Sequence, residues 1–176
     1  MNFTPTKIAG VWLVDMERHQ DERGWFARTW CKEEFHKHGL NPNLSQCSSS
    51  FNRRRGTLRG MHWQAAPHEE AKLVRCVRGA MFDVALDVRP DSATFKQWVS
   101  AELTPENGRA LYIPEGCAHG FQTLMKNTEV LYQISRAWHS ESARAARWND
   151  PAFGIIWPLA DIATLGMRDQ SHDQWP

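Results

Sequence analysis

Two glycine-to-histidine motifs are the feature of this sequence that most constrains its fold. The first spans Gly56–Gln64 with the pattern G-x5-H-x-Q, in which His62 is the histidine. The second spans Gly108–His119 with the pattern G-x5-P-x-G-x2-H. Short strands that end at glycine or proline turns are typical of a small β-barrel, which can present polar side chains to an interior pocket. The pair predicts such a barrel, with His62 and His119 facing a common interior.

The remaining patterns also favour β-structure. Between about Val74 and Val88, the residues from Met81 onward alternate with the period of two that is typical of a strand, with Asp83 on one face and Val84 on the other. Further strand-like runs, separated by turn-forming residues, cover 11–14, 97–103, 110–113 and 129–135. A short helix is expected over residues 32–38, where Gly39 provides a C-cap, and a second one near the C-terminus.

The two motifs resemble the paired signatures of cupin jelly rolls, except that Gln64 stands where a cupin usually has a second histidine. A chain of 176 residues, 41% of them hydrophobic, is long enough to bury one core. We therefore expect a mainly β protein, a cupin-type jelly-roll β-barrel with short flanking helices. A single jelly-roll domain is expected over 1–176.

Charge and composition limit the partners. The formal net charge of +1 provides no general attraction to nucleic acid or membrane, and the basic run 53–55 is interpreted as a solvated turn. The sequence shows neither a secretion signal nor an apolar run long enough to span a bilayer, so a cytoplasmic protein is expected. The four cysteines lack metal-binding spacing and are expected to be reduced. Nine tryptophans are more than such a core needs, which predicts a homodimer or an aromatic pocket.

The pocket residues favour proton transfer without a metal. His62 and His119 could ligate a metal, but Gln64 is a poor ligand and Glu69 or Glu70 would have to supply the carboxylate. No metal and no other cofactor is expected. Removal of a proton next to a ketone needs a neutral imidazole and a cation for the enolate oxygen, and the sequence offers these groups. They are His62, Arg59, Lys72 and His119, each of which could instead be structural or a surface charge.

At this point the sequence resembles a known family, the dTDP-4-dehydrorhamnose 3,5-epimerases. The resemblance extends from Val14 to about Asp169 and rests on the following segments: 21–26 (DERGWF), 56–64 (GTLRGMHWQ), 71–76 (AKLVRC), 82–89 (FDVALDVR), 112–116 (YIPEG), 118–121 (AHGF) and 148–151 (WNDP). It implies a metal-free, dimeric jelly roll that acts on a nucleotide-diphosphate sugar. The implied reaction is epimerisation of a 4-keto-6-deoxy sugar at C3, C5 or both, by proton removal beside the C4 ketone.

The resemblance also implies roles for individual residues. His62 is the base, paired with Asp169, and Lys72 stabilises the enolate. The substrate-binding residues include Arg59, Gln64, His119 and Tyr132. Arg23 and Phe26 would reach the diphosphate and the base from the partner subunit.

Two positions depart from the family pattern. The first is Trp138, where the resemblance places the tyrosine that returns a proton, and an indole is too weak an acid for that step. Either Tyr132, His139 or a water replaces it, or only one carbon is inverted, or the protein is a catalytically silent sugar-nucleotide-binding cupin. A 3,4-ketoisomerase is a further alternative.

The second departure is Arg28, where the family has a glutamate that accepts a hydrogen bond from thymine. Arginine only donates hydrogen bonds, so it suits acceptors on cytosine or guanine better. The sequence therefore predicts a CDP- or GDP-linked sugar.

Overall fold

The computed structural model describes residues 1–166, 169 and 175. The strands are β1 (Asn2–Pro5), β2 (Trp12–Asp15), β3 (Arg18–Asp21), β4 (Gly24–Ala27), β5 (Gln46–Asn52), β6 (Thr57–Gln64), β7 (Lys72–Arg78), β8 (Met81–Asp87), β9 (Trp98–Leu103), β10 (Arg109–Ile113), β11 (Cys117–Thr123), β12 (Thr128–Ile134), β13 (Ala143–Ala145) and β14 (Thr164–Leu165). The α-helix α1 spans Lys32–Lys37, and a 3-10 turn spans Ser140–Ser142.

Two sheets form a sandwich. The first has the strand order β1-β2-β10-β7-β12-β5 and the second the order β13-β6-β11-β8-β9, with β14 parallel to β6. The other described pairs are antiparallel, and strands distant in sequence lie side by side, as β10 does between β2 and β7. This arrangement confirms the predicted jelly roll. A separate hairpin, β3–β4, belongs to neither sheet.

The main core lies between the two sheets. Val74 and Leu111 enter it from the first sheet, and Met81 and Phe121 enter it from the second. Each side chain of this size contributes about 1.5–3 kcal/mol when it is fully buried. The core therefore fixes the separation of the sheets, and with it the width of any cavity between them.

Each sheet also has a covered outer face. On the first sheet α1 packs Phe35 against Leu73 and Tyr112. On the second sheet Val84 and Leu86 lie beneath aromatic side chains of the C-terminal segment, including Phe153 and Trp157. The alternation of β8 is thus confirmed, and the covering of its outer face shows which side is interior, namely the side of Met81, Asp83, Ala85 and Asp87.

Most element predictions agree with the structure within one or two residues. Helix α1 ends one residue before the predicted boundary at His38, and Gly39 follows with a φ of +70°, as a glycine C-cap requires. The predicted C-terminal helix falls mainly on residues outside the described part, and so does the end of the predicted domain. The four cysteines are free thiols, with Cys76 and Cys117 buried. Within the described residues, none of the helices is long and apolar enough to cross a membrane.

Candidate active site

A cavity of about 410 Å³ opens between the two sheets. It is lined by seven of the residues that the sequence predicted for the site: Arg59, His62, Gln64, Lys72, His119, Tyr132 and Trp138. The first sheet contributes Lys72 from β7 and Tyr132 from β12. The second sheet contributes Arg59, His62 and Gln64 from β6 and His119 from β11. A ligand that spans the cavity therefore contacts both sheets.

A β-bulge in β6 brings Arg59 and His62 to the same face. On the neighbouring strand β11, His62 lies opposite His119 and Arg59 lies opposite Phe121, so three steps on β6 match two on β11. In a regular strand, residues three positions apart point to opposite faces, so the bulge is what places these two side chains on one face. Gly60 allows the bulge, because its φ is +129° and a Cβ there would overlap the backbone of Gly120.

His62 lies against a buried carboxylate. Its Nε2 is 2.6 Å from Oδ1 of Asp169, an ion-pair distance, although the direction is not that of a well-aligned hydrogen bond. A carboxylate in this position stabilises an imidazolium that forms when the ring takes up a proton. The structure thus places the predicted pair together, although Asp169 lies more than a hundred residues away in the chain.

Lys72 has a partner that the sequence did not predict for it. Its Nζ lies 2.9 Å from Oε1 of Glu70, and both side chains are largely buried. The same Nζ is 3.4 Å from the carbonyl oxygen of His62, to which it donates a hydrogen bond. Glu70 was considered only as a carboxylate for a metal, whereas here it holds the ammonium group at the cavity wall beside the histidine.

His119 forms a second imidazole–carboxylate pair. Its Nε2 is 2.7 Å from Oδ1 of Asp83, which is fully buried on the interior face of β8. Burial raises the pKa of the Asp83 carboxyl, and the adjacent His119 ring acts in the opposite direction. The alternation of β8 placed Asp83 on one face, but the sequence did not show that this face is the interior one.

Tyr132 faces the cavity from the sheet opposite His62. Its hydroxyl is 3.2 Å from Oγ of Ser50, and its ring makes an edge contact with His119 at a centroid distance of 5.9 Å. Burial raises the pKa of the phenol to about 12, and the Ser50 hydrogen bond only partly offsets this. The phenol therefore keeps its proton near neutral pH.

Trp138 lies at the mouth of the cavity and is 60% exposed. Two glutamines hold this rim segment. Gln46 Oε1 accepts a hydrogen bond from the Trp138 backbone N–H (2.8 Å), and Gln64 Oε1 accepts one from His139 N–H (2.6 Å). Because Gln64 Nε2 also donates to the carbonyl of His68 (2.9 Å), both ends of this amide are engaged by backbone. Gln64 thus supports the rim that presents Trp138, a contribution that the motif did not indicate.

Three predicted substrate-binding residues do not line this cavity. Arg23, on the β3–β4 hairpin, is highly exposed and pairs with Asp21 at 2.6 Å. Phe26 on β4 is 74% exposed. Arg28 pairs with Glu34 of α1 at 3.0 Å. Within one chain the structure therefore leaves these residues outside the pocket, as expected if they serve a partner subunit.

Strand β5 lines the cavity with polar residues that the sequence analysis did not single out. They are Gln46, Ser48 and Ser50, and Asn52 continues the same face toward an adjoining cleft. Their spacing of two was the available signal, since alternate polar residues on a strand mark one face. The signal was missed because the intervening residues are not consistently apolar, as the neighbouring Ser49 shows.

The fold and the cavity define a cupin-type jelly-roll protein with paired imidazoles and carboxylates in its interior. Comparison with known proteins is more specific. The family described as dTDP-4-dehydrorhamnose 3,5-epimerase matches residues 5–176. The chain is similar to the dTDP-4-dehydrorhamnose 3,5-epimerase of Sinorhizobium fredii, with 42% identity over 98% of this chain and 88% of that protein.

Solved structures agree with this match. The crystal structure of dTDP-4-dehydrorhamnose 3,5-epimerase from Elizabethkingia anophelis superposes with a TM-score of 0.96 at 32% identity, covering 99% of this chain and 96% of that chain. A 3'-monoepimerase from Streptomyces bikiniensis, in complex with dTDP-quinovose, has a TM-score of 0.89 at 30% identity, with coverages of 97% and 85%. The chain belongs to the dTDP-4-dehydrorhamnose 3,5-epimerase family, and it is an epimerase of carbohydrate derivatives.

Proposed function

We propose that this chain inverts one or both carbons beside the ketone of a nucleotide-linked 4-keto-6-deoxy sugar, with His62 as base and Tyr132 as acid. One observation carries the proposal: the two side chains line one cavity from opposite sheets. Inversion requires that a proton leave one face of the sugar ring and that another arrive at the opposite face. A base and an acid on facing walls meet this requirement.

The base side is built from three groups. The imidazole of His62 removes the proton, and Asp169 at 2.6 Å stabilises the resulting imidazolium. The electrons move to the ketone oxygen, which becomes an enolate. Lys72 supplies the positive charge for that oxygen, since Glu70 holds its Nζ beside the histidine.

The acid side is Tyr132 rather than the rim residue Trp138. Tyr132 lines the cavity and keeps its proton at neutral pH, whereas the other side chain considered as donor, His139, stacks on His68 and does not line the cavity. A variant of the Streptomyces 3'-monoepimerase, bound to dTDP, has one histidine and one tyrosine replaced. Those two residues have the same separation in its chain as His62 and Tyr132 have here.

The nucleotide-diphosphate sugar would enter past Trp138. Solved relatives hold dTDP, dTDP-4-keto-L-rhamnose or dTDP-quinovose. Arg28 still predicts a cytosine or guanine base, although its guanidinium is partly committed to Glu34. Titration with dTDP, CDP and GDP tests the base, and a clear preference for dTDP would show that Arg28 does not select it.

The β3–β4 hairpin supports a homodimer. Trp25 and Phe26 are exposed large hydrophobic side chains next to Arg23. Exposed aromatic residues together with an arginine are typical of protein interfaces. We propose that the hairpin packs on a second copy and that Arg23 and Phe26 complete its pocket.

Hydrogen exchange tests the assignment of base and acid. The protein is incubated in D₂O with a panel of 4-keto-6-deoxy nucleotide sugars, and NMR follows both deuterium at C3 and C5 and the configuration there. His62→Ala is expected to abolish exchange while nucleotide affinity remains. Tyr132→Phe is expected to retain exchange at the base face but to lose inversion by roughly 100-fold or more.

Trp138→Tyr serves as the control, and it should not increase inversion because the acid is already present in Tyr132. Exchange and inversion that survive in both His62→Ala and Tyr132→Phe would contradict the proposal. Nucleotide binding without exchange in the unaltered protein would identify a silent binding protein. A product with its ketone at C3 would identify a 3,4-ketoisomerase.

A further inference from the structure

We infer that Asn52 is a positioning residue that orients the Arg59 guanidinium toward the phosphate groups of the nucleotide. The inference rests on the proposed function, because it concerns the same ligand. Asn52 is the last residue of β5 and its side chain is almost fully buried, next to the cavity rather than in it. It would act through Arg59 and would not touch the reacting atoms.

The Asn52 amide has a defined orientation. Its Oδ1 accepts a hydrogen bond from Arg59 Nε at 2.9 Å. Its Nδ2 donates to the carbonyl oxygen of Thr128 at 3.2 Å and, less closely, to that of Ser50 at 3.4 Å. A flipped amide would place its oxygen against carbonyl oxygens and its NH₂ group against a guanidinium, which only donates. The surroundings therefore fix Oδ1 toward Arg59.

This contact leaves the two Nη groups of Arg59 free to bind a ligand. With Nε engaged, the two Nη groups remain, and among the described residues they have no hydrogen-bond acceptor. Arg59 lines both the main cavity and an adjoining cleft of about 460 Å³ that also contains Arg53 and Arg54. The described lining of that cleft includes no carboxylate. A fixed guanidinium fork between two cavities is suited to a phosphate group, which it can bind in a bidentate manner.

The neutral amide is important for this role. An aspartate at position 52 could also accept the Nε hydrogen bond, but its charge would partly cancel the attraction of Arg59 for an anion. Asparagine fixes the side chain without neutralising it. Holding one rotamer-rich side chain in its bound geometry lowers the ordering cost of binding, which corresponds to roughly three- to tenfold in affinity.

Binding measurements test the inference, with dTDP and inorganic pyrophosphate as phosphate probes and thymidine as the probe without phosphate. By isothermal titration calorimetry, Asn52→Ala should weaken the binding of dTDP and of pyrophosphate roughly three- to tenfold. The affinity for thymidine should not change. Turnover at saturating sugar nucleotide should stay within about twofold, so that the effect is on KM. In an Arg59→Ala background, Asn52→Ala should cause no further loss, because its effect passes through Arg59.

Two further variants keep the test decisive. Arg59→Lys retains the charge but cannot make the Nε contact, so it should weaken dTDP binding to a similar extent. Adding Asn52→Ala to this variant should not change its dTDP affinity further. Asn107→Ala is the control: both ends of the Asn107 amide are also hydrogen-bonded, but only to backbone, in the turn before β10, so its loss should not affect dTDP binding.

Wild-type affinity in a folded Asn52→Ala protein would overturn the inference, and so would an equal loss for thymidine or an additive loss in the Arg59→Ala background. Failure of the proposed function itself would look different, since the unaltered protein would then cause no hydrogen exchange at C3 or C5 of any sugar nucleotide, whether or not it binds dTDP and pyrophosphate.

Discussion

At the scale of single residues, the site depends on polar groups that are held in one state by burial. Tyr132 is an example, because its phenol faces the cavity and yet has a pKa raised to about 12. Tyr112, the other tyrosine in the chain, also has a raised pKa because of burial, although it belongs to the core beneath α1. Neither phenol should ionise in the folded protein at the pH where free tyrosine does.

Alkaline titration can test this directly. Tyrosinate absorbance of the folded protein should not develop near pH 10, the ordinary value, but should appear only as the pH approaches about 12 or as the protein unfolds. Because the folded pKa lies above the unfolded one, the stability contributed by neutral Tyr132 is complete below pH 10 and declines between pH 10 and 12. Tyr132→Phe should remove half of the tyrosinate signal, and a full signal near pH 10 before unfolding would contradict the burial argument.

The buried pair of Glu70 and Lys72 leads to a second residue-scale prediction. Glu70→Ala leaves the Lys72 ammonium buried without its carboxylate, which should lower the free energy of unfolding by about 3 kcal/mol. The neighbouring Glu69 lines a different, surface cavity, so Glu69→Ala should cost less than about 0.5 kcal/mol. Urea denaturation measures both, and equal losses would show that Glu70 does not stabilise the lysine.

The sequence predicted these side chains unevenly. His62, Lys72 and His119 lie in motifs and were predicted to share a pocket, which the structure confirms. Their partners Glu70 and Asp83 were not predicted, because a partner is defined by its distance in space. For Asp83, the sequence also does not show which face of the strand is interior.

At the scale of elements, the bulge in β6 determines what the second sheet presents to the cavity. It turns both Arg59 and His62 inward, and the close approach of β6 to β11 at Gly60 allows no side chain there. The element is therefore specified by one glycine as much as by the hydrophobic pattern around it.

Substitution of this glycine should be costly. Gly60→Ala combines an unfavourable φ with a clash against the backbone of Gly120, so unfolding free energy should fall by about 3 kcal/mol or more. Gly39→Ala is the control, since Gly39 also has a positive φ but has open space around it, and it should cost about 1 kcal/mol. Thermal denaturation compares the two, and equal losses would show that the contact between β6 and β11 is not restrictive.

The strands with clear hydrophobic alternation were predicted correctly. Strands whose alternation is hidden by polar residues were missed. Strands β8, β10 and β12 and helix α1 were expected from alternation or from a glycine cap. Strand β5 was not, because serines on both of its faces hide the period of two. The bulge was not expected either, since G-x-H spacing alone does not report an extra residue in a strand pair.

At the scale of the whole molecule, the proposed packing of the hairpin β3–β4 on a second copy would make each complete pocket depend on two chains. His62 and Arg23 would then contribute to one pocket from different subunits. This arrangement is testable, because two inactive proteins with defects in different halves can complement each other.

We expect His62→Ala and Arg23→Glu to have strongly reduced turnover when each is assayed alone. After the two are mixed and allowed to exchange subunits, heterodimers contain one pocket with both defects and one with neither, so activity should reappear. A mixture of His62→Ala with Lys72→Ala is the control and should stay inactive, because each chain supplies both of these residues to its own pocket and every pocket therefore keeps one defect. If subunit exchange is demonstrated and the mixture of His62→Ala with Arg23→Glu still has no activity, each chain forms its own pocket.

The sandwich itself has a consequence for how stereochemistry can change. The proposed proton donor and acceptor are attached to separate layers, so their spacing depends on the packing between Val74, Leu111 and Phe121 and not on either side chain alone. A substitution deep in that packing could bring the layers closer or tilt one against the other. New products could thus arise through residues that never meet the sugar, with every group at the ring left in place.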